Sequence, residues 1–207
     1  MPILSQTSKV IISSILSILS VILYLRNKSK TRRMCMIAML LCTAGDFFMT
    51  DTFHMGSAST YPGAVFFIAG HIVYALCFLS SSKEKGYTYK NKGFYAGIAL
   101  AVCAAAVLAV LAFTVPSKPQ SVMFALILVY LAVIAFNIAS QFSYAVSEKG
   151  QRYFLIAAMT LFCISDFVVF LPMLDICGEH NDLVWFTYIP AQLLIILFNS
   201  DLLPAKD

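Results

Sequence analysis

Three ionisable side chains lie inside strongly apolar stretches of the chain: Asp46, His71 and Asp166. A charge at membrane depth is costly, so such groups are functional candidates by default. Two carboxylates in a poorly hydrated site share a proton rather than both ionising, which supplies an acid and a base from one constellation. A histidine beside them can orient water, carry a proton or, when charged, hold a phosphate. Tyr74 follows His71 by three residues and shares its helical face, and Tyr188 and Gln192 are one turn apart on another. These six residues form the candidate site, with Asp46, Asp166 and His71 as the catalytic set and Tyr74, Tyr188 and Gln192 as substrate contacts.

Each of the six also has a plain structural role open to it. A carboxylate near a helix end reaches the headgroup layer, a buried histidine bonds a carbonyl, and tyrosines belong to interfacial belts. A metal site is the other chemical reading: Asp46, His71 and Asp166, with His54 and His180, are suitable zinc ligands. No pair of histidines at ligand spacing supports it, and no metal is expected. Ser165 precedes Asp166 directly, and adjacent residues on a helix do not face each other, which argues against a serine nucleophile. The fifth apolar run carries a further stripe of Tyr130, Asn137, Gln141 and Tyr144, suited in its lower part to interhelical hydrogen bonds. Asp201 reads as an interface residue.

The elements that must position these groups follow from composition. The 207 residues are 60% hydrophobic and 12% charged, with a mean hydropathy of +0.86. Soluble domains are nearer one quarter charged. This excludes a soluble enzyme, a disordered regulator and a nucleic-acid binder. Seven apolar runs approach the length that spans a ~30 Å hydrocarbon core: Val10–Leu25, Met34–Thr50, Gly63–Ser82, Phe94–Val115, Val122–Tyr144, Tyr153–Leu171 and Leu183–Leu203. The expected fold is an all-α transmembrane bundle of about seven spans in a single domain. The runs lack period-two alternation, which excludes a β-barrel. The first run is short and rich in serine, and its basic flank from Arg26 to Arg33 marks a retained anchor rather than a cleaved signal. Six cysteines, at 35, 42, 77, 103, 163 and 177, show no metal-ligand spacing and read mostly as small buried hydrophobes.

Charge sets the orientation. Of the fourteen lysines and arginines, all but Lys9 and Lys118 fall on one set of alternating connections or on the tail. Positive-inside bias makes that side cytoplasmic, with the N-terminus outside and the C-terminus inside. Asp46, Asp166, His71, Tyr188 and Gln192 then share the outer half, with Asp46 about one turn, or ~6 Å, from the surface. A bacterial plasma membrane is the simplest host.

The same residues carry a family resemblance. Gly45 and Asp46 resemble the Gly-Asp signature of the YhhN-like lysoplasmalogenase family of membrane proteins. The run from Gly63 through Phe67, Gly70 and His71 to Tyr74 is similar to its next signature, Phe162 to Asp166 to its Ser-Asp segment, and Tyr188 to Ile195 to its Tyr-to-Ala-Gln ending. Tyr130 matches a tyrosine of the family's middle helix. Family members usually have eight helices; the one without a counterpart here precedes the Gly-Asp helix. The resemblance implies an ether hydrolase that cleaves the vinyl-ether bond of lysoplasmalogens to a fatty aldehyde and glycerophosphocholine or glycerophosphoethanolamine. Its partners would be the bilayer and a lysophospholipid substrate, without a cofactor. A small proton-coupled transporter or channel built on the same Asp and His residues is the alternative. An aqueous path from both faces would favour transport, and a pocket closed on the cytoplasmic side would favour the enzyme.

Overall fold

The computed structural model describes residues 4–114, 121–148, 152–173 and 181–198. They form seven helices: α1 (Gln6–Arg26), α2 (Lys30–Met49), α3 (Thr60–Glu84), α4 (Lys92–Thr114), α5 (Ser121–Ser147), α6 (Arg152–Met173) and α7 (Asn181–Phe198). No strand occurs among the described residues. Five of the helices are long and apolar enough to cross a membrane. The chain is an integral-membrane helix bundle.

Neighbouring contacts close a ring. α1 packs on α2, α2 on α3, α3 on α5, α5 on α6, α6 on α7, and α7 returns to α1, while α4 lies outside against α5 and α6. Successive helices alternate in direction, so α1, α3, α5 and α7 begin at one end, called here the cavity end. Small residues bring the helices together, as expected where apolar burial gives no drive for association within lipid. A Cβ at Gly45 would lie 2.9 Å from the Phe67 ring, and one at Gly70 would lie 2.7 Å from Cys42 Sγ. Glycine at these positions lets α2 and α3 approach backbone to backbone.

The first helix departs from the expectation of a short, weak span. It runs 21 residues, capped by the Ser5 side chain, which accepts from Ser8 N–H. Its serines are the buried face: Lys9, Ser13, Ser17 and Ser20 point into the bundle, whereas Ile11, Ile15, Ile18 and Ile22 lie exposed on the other side. This helix is polar inward and apolar outward, as a lipid-facing helix beside a polar interior should be. Ser17 Oγ meets Thr43 Oγ1 of α2 at 2.7 Å.

Cys35, Cys42 and Cys77 are buried as expected, but Cys103 is exposed on α4, which has fewer protein neighbours. Cys177, His180 and Asp201 lie outside the described residues. The end opposite the cavity carries the basic residues, tied by Lys30 to Glu84 at 3.1 Å and by Lys85 to Glu148. Burial pulls the Lys85 ammonium down, but hydrogen bonds to Glu148 and Tyr144 outweigh it and hold the group above the ordinary lysine range.

Candidate active site

Two acidic clusters form inside the ring, each on its own set of helices. In the first, Asp46 of α2 is 2% exposed and receives two hydroxyls on the same oxygen. Ser13 of α1 donates to Asp46 Oδ2 at 2.5 Å, and Tyr188 of α7 donates to it at 2.9 Å. Gly45 is part of the same construction, because it lets Phe67 lie against α2 directly beside this carboxylate.

The second cluster joins α3, α5 and α6. Asp166 Oδ2 lies 3.3 Å from His71 Nε2, and its Oδ1 accepts from the Tyr130 hydroxyl at 3.2 Å. Tyr130 also lies 3.3 Å from His71 Nε2. Behind the imidazole, Asn137 Nδ2 donates to His71 Nδ1 at 2.8 Å, and Gln141 Nε2 donates to Asn137 Oδ1 at 2.9 Å. With Nδ1 accepting, a neutral His71 carries its proton on Nε2, where the hydrogen-bonded partner is the Tyr130 hydroxyl that in turn donates to Asp166. The ring is held edge-on to Phe162, with centroids 4.8 Å apart.

Asp46 and Asp166 line one cavity of about 340 Å³, within the range of small-molecule sites. Ser57, Thr60, Tyr130, Ser165 and Tyr188 supply its hydroxyls, and Phe67, Met123, Val168, Val169, Pro172, Val184 and Trp185 supply apolar wall. Every lining residue belongs to the half of its helix nearer the cavity end, or to the α2–α3 connection. Farther along the helices, Tyr74, Phe78, Ile138, Met159, Gln192 and Ile195 are 1% exposed or less and close the floor.

The sequence-derived candidates divide into three groups. Asp46, Asp166 and Tyr188 line the cavity. His71 is fully buried behind Asp166, eleven residues into α3, or about 16 Å along its axis, deeper than the two turns expected. Tyr74 and Gln192 are not among the lining residues; the Tyr74 hydroxyl donates to Gln192 Oε1 at 2.7 Å and ties α3 to α7 below the floor. The interhelical role read for the α5 stripe holds for Asn137, which donates to His71 of α3, whereas Gln141 bonds Asn137 within α5. Ser165 Oγ donates to the Val184 carbonyl of α7 at 3.3 Å. Ser13 was not among the candidates. Its signal is the spacing of Lys9, Ser13, Ser17 and Ser20 by four, four and three, a polar helical stripe opposite the isoleucines.

His54 sits exposed in the α2–α3 connection with φ 54°, and no cluster of three or more His, Cys, Asp or Glu gathers among the described residues.

The arrangement has two carboxylates on one cavity, one bonded by two hydroxyls and one lying against an imidazole and a tyrosine hydroxyl. It can deliver a proton to a bound molecule and accept one from water. The family model of the YhhN family matches residues 5–198, and the chain belongs to that family. No curated protein and no solved structure matches it.

Proposed function

We propose that this YhhN-family chain is a lysoplasmalogenase, hydrolysing the vinyl-ether bond of a lysoplasmalogen. The observation that carries the reading is the shared cavity of Asp46 and Asp166, closed toward the opposite end of the bundle. That closure argues against an open channel through the bundle.

A vinyl ether is broken by protonating its β-carbon. The electron pair of the double bond takes the proton, and an oxocarbenium centre forms at the carbon bonded to oxygen. Asp166 supplies the proton, and His71 Nε2, 3.3 Å away, positions its carboxyl. Asp46, with the Ser13 and Tyr188 hydroxyls donated to it, accepts a proton from the attacking water. The resulting hemiacetal loses its glycerol oxygen as an alcohol and leaves the aldehyde. The overall reaction consumes one water and needs no redox step. Both carboxylates and the faces of Tyr188, Phe67 and Trp185 surround the transient cation, and aromatic faces attract cations.

The alkenyl chain would lie along the apolar wall of Met123, Val168, Val169 and Pro172 on α5 and α6. The Pro172 ring denies the last turn of α6 one backbone hydrogen bond and sets that wall at the helix end. Positive-inside bias places the cavity end away from the cytoplasm.

The test is aldehyde release by purified protein from choline and ethanolamine lysoplasmalogens, with ester lysophospholipids alongside. Release from the vinyl ethers alone, undiminished by a chelator, is expected. No release from folded protein would overturn the reading.

A further inference from the structure

The cavity has a charge problem that its own lining does not solve. Apart from tyrosines, its ionisable lining residues are two carboxylic acids, and among the described residues no lysine or arginine lines it. A phosphodiester brought beside them is repelled, and a low-dielectric surrounding strengthens that repulsion. A substrate bearing phosphate therefore needs a cation just outside the lining, on the cavity side of the bundle.

Lys9 stands there. Among the described residues it is the one lysine or arginine at the cavity end; Arg26, Lys30, Arg33, Lys83, Lys85 and Lys92 all lie at the other. It is 1% exposed, and its Nζ sits 5.9 Å from the centroid of the Trp185 ring. Trp185 itself lines the cavity, so one indole lies between the ammonium and the space beyond. Lys9 also precedes Ser13 by one turn on the buried face of α1, and Ser13 is bonded to Asp46. The Lys9 backbone thus lies four residues, or about 6 Å along the axis, from the residue that holds the base.

We propose that Lys9 of α1 is the phosphate-recognition residue, holding the headgroup phosphate of a single-chain phospholipid while the ether lies between Asp46 and Asp166. The long aliphatic stem suits this, since it carries the charge from the α1 backbone across to Trp185 at the cavity wall. The proposal rests on the hydrolase reading for the position of the ether, but phosphate recognition is measurable without turnover.

Trp185 is the chain's only tryptophan, so its fluorescence reports on this place directly. Purified protein would be titrated with a non-cleavable alkyl-ether lysophosphocholine, with the alkyl glycerol that lacks phosphate, and with glycerophosphocholine that lacks the tail. Wild type is expected to bind the phosphate-bearing lipid at least about tenfold more tightly than the alkyl glycerol, or about 1.4 kcal/mol. Lys9→Gln and Lys9→Met should each close that gap to within twofold, and Lys9→Arg should keep it. A gap that survives in either folded neutral variant, or is missing from wild type, overturns the proposal. Glycerophosphocholine binding as tightly as the lipid overturns the lipid assignment. Lys9-dependent binding without aldehyde release would refute the hydrolase reading alone, and release without the gap would refute Lys9 alone.

Discussion

Ser13 and Ser17 offer a controlled comparison on one helix. Both are buried on the same face of α1, and both bond a side chain of α2. Ser13 donates to the Asp46 carboxylate at 2.5 Å, whereas Ser17 meets the neutral Thr43 hydroxyl at 2.7 Å. A hydrogen bond to a charged group contributes about 1.5–3 kcal/mol, and a neutral one about 0.5–1.5 kcal/mol. If Asp46 must be ionised when water attacks, Ser13→Ala withdraws its share from the reacting state and slows turnover roughly ten- to a hundredfold. Ser17→Ala should lower thermal stability by about 1 kcal/mol and leave kcat within threefold. The assay is aldehyde release in parallel with thermal unfolding in the same detergent. A double variant gives a second reading: in an Asp46→Asn background, Ser13→Ala should cost little further rate, since the partner charge is gone. Equal losses of activity in the Ser13 and Ser17 variants, or a fully active Ser13→Ala, would refute the reasoning.

Asn137→Leu removes the donor to His71 Nδ1 and should lower kcat about tenfold with KM within twofold, because it frees the imidazole that positions Asp166 and leaves the cavity lining unchanged. Steady-state kinetics separate the two constants. Gly45→Ala sets a methyl 2.9 Å from the Phe67 ring; overpacking of this kind costs about 1–3 kcal/mol, read as a lowered Tm, and moves a cavity wall as it does so. Val169→Trp should fill the tail side of the 340 Å³ cavity and abolish turnover while the unfolding temperature holds, which thermal melts and aldehyde release together would establish.

Much of the bundle is readable along the chain, because membrane helices announce themselves by sustained apolar length, and polar residues within them stand out against it. Asp46, Asp166 and Tyr188 are legible for that reason, and they do meet at one cavity. The packing order is less legible. α3 pairs with α5 past α4, and no local pattern specifies which non-consecutive helices touch. That pairing is what brings Tyr130 and Asn137 to His71 and makes the α5 stripe part of the site. Tyr74 and Gln192 look like substrate contacts from their faces alone, yet each hydrogen-bonds the other across two helices 118 residues apart in sequence. Ser13 and Lys9 escape notice because α1 reads as a weakly apolar anchor. Its serines lower the hydropathy on the face turned inward, and that same face holds Asp46.

The central claim is that Asp46 and Asp166 together protonate a vinyl-ether carbon and activate water. The measurement that tests it most directly is aldehyde formation from a lysoplasmalogen in deuterated water, by wild type, Asp46→Asn and Asp166→Asn, with folding verified for each. The account predicts one deuterium on the carbon next to the aldehyde carbonyl in the wild-type product. It also predicts a loss of about a hundredfold or more in both variants, the range that positioned acid–base groups supply. Aldehyde without that deuterium, or full activity in either folded variant, would contradict it.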